Sequence, residues 1–343
     1  MSELRTIEAP AEAKGQRLDQ FLAAALEGVS RSRVQLLIDQ GDVLVNGKRE
    51  KASLKLRGGE RIDITGEPHP APLKAMAEEI PLDVVYEDED LAVVNKPAGM
   101  MVHAGAGRTD DARGDTRNKG TLVNALLHHM AKLSEVGGEL RPGIVHRLDK
   151  QTSGAIAVAK DDVTHRKLGE MFSMRRVAKT YIALVHGMLK QDNVTVNLPI
   201  ARDLMRRTRM TTRRADGRSA VSHIKVLERL ATRYGAFTLV EVRIETGRTH
   251  QIRVHLQSLG HPVVGDTLYG APRALTLAVR NDHNERPIVE RSAVAGLERN
   301  FLHAAHLEFA HPQTGKTLAI DAPLPAELEE FLRWLRTEGG LVE

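Results

Sequence analysis

The densest group of side chains that could carry chemistry lies in residues 141–160, RPGIVHRLDKQTSGAIAVAK. Here the polar run HRLDKQTSG interrupts two apolar stretches with strand patterns. Asp149 lies between the cations Arg147 and Lys150, which favour its ionised form. An ionised carboxylate can act as a nucleophile or as a base. From composition alone, a solvent-exposed turn in which Asp149 caps the local backbone explains the same pattern.

An arginine-rich segment at residues 201–218 is the second candidate, and its chemistry would be anion binding. Its charged residues are Arg202, Asp203, Arg206, Arg207, Arg209, Arg213, Arg214, Asp216 and Arg218. The whole chain of 343 residues carries a formal charge of only +4, so positive charge is concentrated here. Clustered guanidinium groups are typical of surfaces that bind a polyanion. A mobile, solvated loop has the same composition, and the segment alone leaves both interpretations open.

Two further arginines, Arg31 and Arg33, fall in the first turn of a predicted helix that Ser30 can cap. Free backbone N–H groups at a helix N-terminus attract an anion such as a phosphate. Surface arginines that only solvate the helix end would look the same in the sequence. Both interpretations stay open for this pair.

Other motifs indicate less chemistry than they first suggest. The run AHPQTGKT at residues 310–317 resembles a phosphate-binding loop, but it lacks the first glycine and precedes a strand pattern, so we predict a hairpin turn. HRLD differs in order from a kinase catalytic loop, and the chain has no kinase glycine-rich loop. The 15 histidines include HAAH at residues 303–306 but no H-E-x-x-H motif, so we predict core or surface positions for them.

Composition excludes several classes of protein and site. The chain has no cysteine, which excludes disulfides, thiolate metal sites and cysteine nucleophiles. Hydrophobic residues make up 41% and charged residues 27%, as in a folded globular protein. No apolar run is long enough for a membrane span, and the N-terminus MSELRTIEAP has no signal core. We therefore expect a cytoplasmic protein.

The elements that must position these residues fall into two predicted domains. Residues 15–66 predict two helices, whose apolar positions include Leu18, Leu22, Val34 and Leu37, followed by a small sheet with a hairpin turn at NG, so this is an αββ-type domain. Residues 67–80 hold three prolines and predict a linker.

Residues 81–330 form the second predicted domain. Many strand patterns, such as GAIAVAK, TYIALVHG and FTLVEVRIE, are mixed with a few helical ones and show no regular βαβ repeat. This mixture predicts an α+β domain with a largely antiparallel sheet. The polar stretch at 105–120 predicts an exposed loop.

The run HRLDKQTSG closely resembles the active-site block of the RluA-type pseudouridine synthases. The segments VVNKPAGMMVH, GTLVNALLHH, KTYIALVHG and ETGRTHQIRVHLQSLGHPVVGDTLYG resemble further blocks of that family, in the family's order. The first 66 residues resemble a small RNA-binding domain that occurs in a small-subunit ribosomal protein and in many of these enzymes. The resemblance covers about residues 15–330. It is greatest to the D-type (RluD-like) subgroup, which acts on large-subunit ribosomal RNA.

The resemblance implies a pseudouridine synthase fold, a mixed and mainly antiparallel sheet with flanking helices and a central cleft. It implies three catalytic residues: Asp149 as nucleophile or base, Tyr181 stacking on the base, and Arg253 paired with the aspartate. Arg147 matches the arginine that fills the gap left by the flipped nucleotide. The helical pattern of HQIRVHLQSLG turns Ile252, Leu256 and Leu259 inward and leaves Arg253 off that face. We expect further RNA contacts from His146, Lys150, Arg248, Arg31, Arg33, Arg206, Arg207 and Arg209.

The implied reaction isomerises uridine without gain or loss of atoms, so we expect no cofactor and no metal. The implied partner is ribosomal RNA of the large subunit or its precursor, at a stem-loop target of the D-type subgroup, bound by a monomer that takes part in ribosome biogenesis. Two alternatives are a synthase acting on transfer RNA and a non-catalytic ribosome-assembly factor that keeps the fold. Ala104, Gln151 and the long segments 105–120 and 271–299 depart from the family pattern and bear on which uridines are modified.

Overall fold

The computed structural model describes residues 5–26, 29, 31–65, 75–103, 119–275 and 296–337. These residues divide into two compact units, one containing the N-terminal residues up to 74 and the other the chain from Ala75 onward. No helix in the described ranges is both long and apolar enough to cross a membrane. Most of the loop predicted at 105–120, and Ser30, lie outside the described residues.

The N-terminal unit is a small sheet covered by two helices. Its elements are β1 (Arg5–Glu8), α1 (Leu18–Ala25), α2 (Arg31–Gln40), β2 (Val43–Val45), β3 (Lys48–Arg49) and β4 (Arg61–Ile64). The antiparallel strands lie in the order β1-β4-β2-β3. Both predicted helices are confirmed, and their apolar faces share one core with Ile62 and Ile64 of β4. The strand β1 begins before the predicted domain start at residue 15 because it completes the sheet beside β4.

The predicted turn of this unit is confirmed by its backbone. Asn46 and Gly47 have φ angles of 51° and 78°, which the hairpin turn between β2 and β3 requires. Few residues other than asparagine and glycine adopt two positive φ angles in succession without strain. The dipeptide therefore fixes the position of the hairpin.

The second unit contains a nine-stranded sheet. Its strands are β5 (Val84–Glu87), β6 (Leu91–Lys96), β7 (Ser153–Ala159), β8 (Ala178–His186), β9 (Asn193–Asn197), β12 (Val221–Thr232), β13 (Gly235–Ile244), β14 (Leu302–Ala310) and β15 (Thr317–Asp321). They lie in the order β5-β6-β7-β14-β8-β13-β12-β9, with β15 beside β14. All described pairings are antiparallel except that of β14 with β7. The predicted α+β class with a mainly antiparallel sheet is confirmed.

The sheet is buried on both faces at its centre. Alternate residues of β6 and β7 enter two different cores, as Ile156 and Val158 do on one face and Ala155 and Ala157 on the other. The helices α3 (Leu122–His129), α5 (Gln251–Ser258) and α6 (Ala326–Thr337) pack in the first core, and α4 (Asp162–Ser173) packs in the second. Helix α6 runs past the predicted domain end at 330 because Leu332 and Leu335 are buried in that core.

The parallel pairing of β7 with β14 brings two distant parts of the chain very close. Gly154 has a φ of +118°, and a Cβ placed on it would lie 2.2 Å from the backbone oxygen of Ala304. Ser153 Oγ also contacts His303 Nδ1 at 2.9 Å. The glycine of the HRLDKQTSG run is therefore required by backbone contact, and it places Asp149 at the head of a fully buried strand.

The run at residues 310–317 and the histidines of HAAH have structural positions, as predicted. A hairpin turn joins β14 to β15 at residues 310–317, as predicted. His303 is a core residue whose Nε2 contacts the carbonyl of Ala322 at 3.0 Å, and His306 pairs with Asp321 at 2.6 Å. The histidines of HAAH thus have partners within the β14 and β15 region.

Candidate active site

Asp149 lies in the coil that leads into β7, with its side chain 20% exposed. Its Oδ2 accepts a hydrogen bond of 3.0 Å from Nη1 of Arg253, which is 104 positions away in the sequence. Arg253 belongs to α5, and its side chain is only 10% exposed. A hydrogen bond from a buried guanidinium holds the carboxylate of Asp149 in one orientation.

The opposite edge of the Arg253 guanidinium is fixed by Asp266. Nε and Nη2 of Arg253 donate to the two oxygens of Asp266 at 2.6 and 2.9 Å, a bidentate arrangement. Burial alone would lower the pKa of Arg253, but the hydrogen bond to Asp266 and the two nearby carboxylates outweigh it and raise that pKa. Arg253 is therefore a permanent cation that joins two carboxylates. Sequence reasoning missed Asp266, although it lies in a quoted block, GDTLYG.

His250 is a second residue beside Asp149 that the sequence did not reveal. It caps the N-terminus of α5 in the left-handed region, with a φ of 55°. Its Nδ1 contacts the hydroxyl of Tyr269 at 2.9 Å, and its Nε2 lies 3.9 Å from Oδ2 of Asp149. Burial lowers the pKa of His250, which favours the neutral ring. A non-glycine residue in this backbone region is uncommon and often marks a functional position.

The loop before α5 is held in place by Gln251, also missed from the sequence. Its Oε1 accepts from the hydroxyl of Thr246 and the N–H of Arg248, at 2.7 and 3.1 Å. Its Nε2 donates to the carbonyl of Val221 and to Ser222 Oγ. Every polar atom of the amide has a partner, so the loop that carries Arg248 and His250 is fixed to β12.

Tyr181, on β8, lines an open cleft together with Asp149. The cleft is open to solvent, and its other lining residues include Arg147, Thr152, Ile244, Arg248, Thr249 and Leu302. Burial, and then the charge of Asp149, raise the pKa of Tyr181, so its hydroxyl stays protonated. The site offers a carboxylate of fixed orientation and an aromatic ring in the lining of one cleft.

Comparison with known proteins identifies the chain. Family models match it as RNA pseudouridylate synthase over residues 90–258 and as S4 domain over residues 16–62. The RNA pseudouridine synthase YlyB of Bacillus subtilis is 41% identical over 97% of this chain and 98% of its own length. The chain belongs to the RNA pseudouridine synthase family.

Two further relatives agree with this synthase in sequence and in fold. The ribosomal large subunit pseudouridine synthase D of Neisseria meningitidis serogroup A is 40% identical over 97% of this chain and 82% of its own length. Among solved structures, human RNA pseudouridylate synthase domain containing 1 superposes with a TM-score of 0.50 at 26% identity, covering 75% of this chain and 95% of its own. The pseudouridine synthase fold and the isomerase class implied by the resemblance are confirmed.

The cations that flank Asp149 in the sequence are not its partners in the synthase. The side chains of Arg147 and Lys150 are exposed, and Arg147 lines the mouth of the cleft. Arg253 therefore supplies the charge that we expected from Arg147 and Lys150. Arg248 lines the cleft as well, and its Nε donates to the carbonyl of Ser219 at 3.1 Å. The exposed positions leave Arg147 and Lys150 accessible to RNA.

His146 has protein partners for its ring and for its Nε2. Its ring stacks on Phe172 with centroids 4.4 Å apart, and its Nε2 accepts the N–H of Ala157 at 2.8 Å. Burial and the ammonium of Lys179 lower the pKa of His146 to about 3. A neutral ring whose acceptor nitrogen is used by β7 supports that strand, and the RNA contact of His146 stays a prediction.

The arginine-rich segment of the synthase forms a small hairpin of β10 (Ala201–Arg202) and β11 (Met210–Thr211). Arg206 and Arg207 are exposed at its tip. Arg209 is half-buried, with its guanidinium carbon 5.1 Å from the ring centroid of Tyr269. We refer to residues 201–218 as the basic hairpin.

In the S4 domain, Arg31 contacts protein rather than standing free. Its Nε and Nη2 donate to Oδ2 of the buried Asp19 at 3.0 and 2.9 Å, and its side chain remains 47% exposed. The hydrogen bond from Arg17, with those from Gln35 and Arg31, lowers the pKa of Asp19. Arg31 thus anchors α2 to α1. The side chain of Arg33 lies outside the described residues.

Among the described residues, the one group with the spacing of metal ligands is Asp88, Asp90 and His311. His311 Nδ1 accepts the N–H groups of Gln313 and Thr314, so its Nε2 carries the proton and donates to Asp88 at 2.9 Å. Asp88 also accepts from the hydroxyl of Tyr86. These hydrogen bonds fix the β14–β15 turn and account for the group without an ion.

Proposed function

We propose that this protein isomerises uridine to pseudouridine in large-subunit ribosomal RNA and that Asp149 is its essential catalytic residue. The observation that carries the proposal is the pairing of Asp149 with Arg253 in a cleft that also contains Tyr181. The pairing fixes the orientation of a partly exposed carboxylate in an open cleft, where a base can reach it. The alternative of an exposed turn with a capping aspartate does not need a buried arginine.

The reaction breaks the bond between ribose C1′ and uracil N1 and forms a bond between C1′ and C5. The proton on C5 leaves and N1 gains one, so the balance of atoms is zero and no redox partner or cofactor is needed. Arg253 bonds Oδ2 of Asp149, and we assign Oδ1 to the substrate. That oxygen either attacks C1′ or accepts a proton while the uracil turns over in the cleft.

A base within a helix cannot reach Asp149 until it leaves the stack. Extrusion costs a few kcal/mol, which contacts in the cleft must offset. We assign stacking on the extruded uracil to Tyr181 and filling of the vacated space to Arg147, whose exposed side chain lies at the cleft mouth. The protonated hydroxyl of Tyr181 avoids placing a second negative charge beside Asp149.

The Neisseria relative bears the name of a ribosomal large subunit enzyme, which supports ribosomal RNA as the substrate. The S4 domain and the basic hairpin supply the additional contacts that a large RNA allows. We infer that Lys150, Arg248, Arg206, Arg207 and Arg209 contact RNA phosphates, since guanidinium and ammonium groups bind them without reading sequence. We also infer a cytoplasmic monomer acting in ribosome biogenesis at a stem-loop.

Mapping of pseudouridine in cellular RNA tests this function. Ribosomal and transfer RNA are mapped from cells lacking the protein and from cells that carry only Asp149→Ala. We expect both strains to lose the same modification in large-subunit RNA. Loss confined to transfer RNA would support the alternative substrate, and restoration by Asp149→Ala would support a non-catalytic assembly factor. Unfolding curves of the purified variant show whether it is folded.

A further inference from the structure

A second cavity lies beneath the basic hairpin, apart from the cleft that holds Asp149. Its lining is strongly polar and includes Arg206, Arg209, Arg213, Gln257, Thr267 and Tyr269. Three of these are guanidinium groups from one short segment. Their convergence on one hollow indicates a site for an anion with several acceptor oxygens.

The lining of this cavity contains three arginines and one carboxylate. The one carboxylate in its lining, Asp203, accepts the N–H groups of Met205 and Arg206 at 2.9 and 3.0 Å and so holds the hairpin turn. Nε of Arg209 is buried and finds no acceptor among the described residues. The three guanidinium charges of the lining therefore exceed the charge of its one carboxylate.

Tyr269 connects this cavity to the active site. The guanidinium carbon of Arg209, from the cavity, lies 5.1 Å from the centroid of the Tyr269 ring. The guanidinium carbon of Arg253, from the active site, lies at the same distance. The Tyr269 hydroxyl accepts the N–H of Met210 in the hairpin at 2.9 Å and contacts His250, the neighbour of Asp149. A group bound at the hairpin is thus held at a fixed position relative to Asp149.

We propose that Arg206, Arg209 and Arg213 bind one backbone phosphate of the RNA whose uridine occupies the cleft, and that Tyr269 is a positioning residue that sets this phosphate relative to Asp149. The proposal rests on the proposed function, because the phosphate belongs to the substrate strand. Phosphate is the anion that every nucleotide supplies, and arginine matches its geometry with paired hydrogen bonds.

The test scans the phosphates of a synthetic RNA fragment centred on the uridine that loses modification in the Asp149→Ala strain, whichever RNA contains it. Each phosphate in turn is replaced by a neutral methylphosphonate, and the affinity of the intact protein is measured. We expect one position at which neutralisation weakens binding about tenfold. In Arg206→Gln, the unmodified fragment binds about tenfold more weakly, and that position shows no further loss.

Arg207→Gln is the matched control, because Arg207 is its exposed sequence neighbour but does not line the cavity. We expect this variant to keep the full sensitivity at the same position. Equal sensitivity at many positions, or disappearance of the position-specific sensitivity in Arg207→Gln as well as in Arg206→Gln, would overturn the phosphate site. If the wild-type protein converts no uridine in any fragment, the proposed function fails and this proposal fails with it. If conversion occurs but no Arg206-dependent position exists, the phosphate site alone fails.

Tyr269→Phe tests the positioning role. It keeps the aromatic ring that the guanidinium groups of Arg209 and Arg253 approach, and it removes the hydroxyl that contacts Met210 and His250. We expect kcat to fall about tenfold while KM changes less than about twofold, since the phosphate still binds but is misplaced. A raised KM with unchanged kcat would assign Tyr269 to binding only, and unchanged values of both would remove it from the proposal.

Discussion

At the scale of single residues, the site depends on one guanidinium that has two carboxylate partners. Arg253 donates to Asp149 with one nitrogen and to Asp266 with two others. The planar, rigid shape of arginine allows these bonds to form together. The orientation of Asp149 is therefore set by a residue, Asp266, that does not itself line the cleft.

Replacing Arg253 by lysine should slow isomerisation on the order of a hundredfold, because an ammonium cannot bridge Asp266 and Asp149 in the same geometry. RNA affinity should change little, since Arg253 is buried. Single-turnover rates at saturating enzyme measure the chemical step. Arg243→Lys, an exposed change on β13, serves as the control. A normal rate for Arg253→Lys would show that the bridge is dispensable.

His146 should make stability depend on pH. Its folded pKa of about 3 lies below the ordinary value of 6.5. The unfolded chain therefore binds one more proton between these values, and stability falls as the pH falls through this window. His146→Gln removes the titration and retains an acceptor for the Ala157 N–H.

Urea unfolding at pH 6.5 and 5.0 measures this effect. Between pH 6.5 and 5.0 we expect the free energy of unfolding of the wild-type protein to fall by roughly 1.5 kcal/mol more than that of His146→Gln. This is close to the value for one additional proton bound by the unfolded chain. The Gln variant should be less stable at pH 6.5, since it loses the stacking on Phe172. Parallel pH profiles for the two proteins would contradict the burial of a neutral ring.

The sequence predicted part of this site. Asp149, Tyr181 and Arg253 lie in blocks that resemble a known family, and the structure brings all three to one region. His250, Gln251, Asp266 and Tyr269 were missed because their roles arise from contacts between loops and have no periodic signal. The contacts of His146 with Phe172 and β7 were not foreseen, because a sequence does not show which way a ring in a polar run points.

At the scale of secondary-structure elements, the close approach of β7 and β14 places Asp149. Gly154→Ala should destabilise the protein by at least about 2 kcal/mol, because the added Cβ would meet the backbone of Ala304 at a strained φ. Gly169→Ala is the control. Gly169 lies within α4, where a Cβ meets no atom within 4 Å, and alanine there should stabilise by about 0.5–1 kcal/mol. Thermal and urea unfolding compare them; equal stabilities would contradict the close approach.

Elements with local signals were predictable, and those created by distant pairing were not. The alternation of β13 and the spacing of α5 identify them in the sequence. The parallel pairing of β7 with β14 joins residues 150 positions apart, as Ser153 and His303 show. No local pattern specifies such a partner. The strand β1 was missed because four residues with one half-buried side chain give no strong alternation.

At the scale of the whole molecule, the concentration of arginine in the basic hairpin predicts a salt effect on RNA binding. Neutralising Arg206, Arg207 and Arg209 together should weaken binding and flatten the slope of log K against log salt by about 1 to 2, at about 0.9 per lost phosphate contact, because Arg206 and Arg209 share one phosphate. Measuring the binding constant between about 50 and about 300 mM salt tests this, because added salt screens contacts between exposed charges. Arg336→Gln, which only removes an ion pair with Glu228, should leave the slope unchanged. An unaltered slope in the triple variant would exclude the hairpin from phosphate binding.

The double engagement of Arg253 has a consequence for turnover. In the proposed mechanism Asp149 loses its negative charge, whether it forms an ester with ribose or takes up a proton. A buried cation left without a counterion would be strongly destabilising. Because Asp266 remains bound on the opposite edge, Arg253 is electrically compensated at every stage. In that mechanism the carboxylate of Asp149 can become neutral and regain its charge without rearrangement of the residues around it.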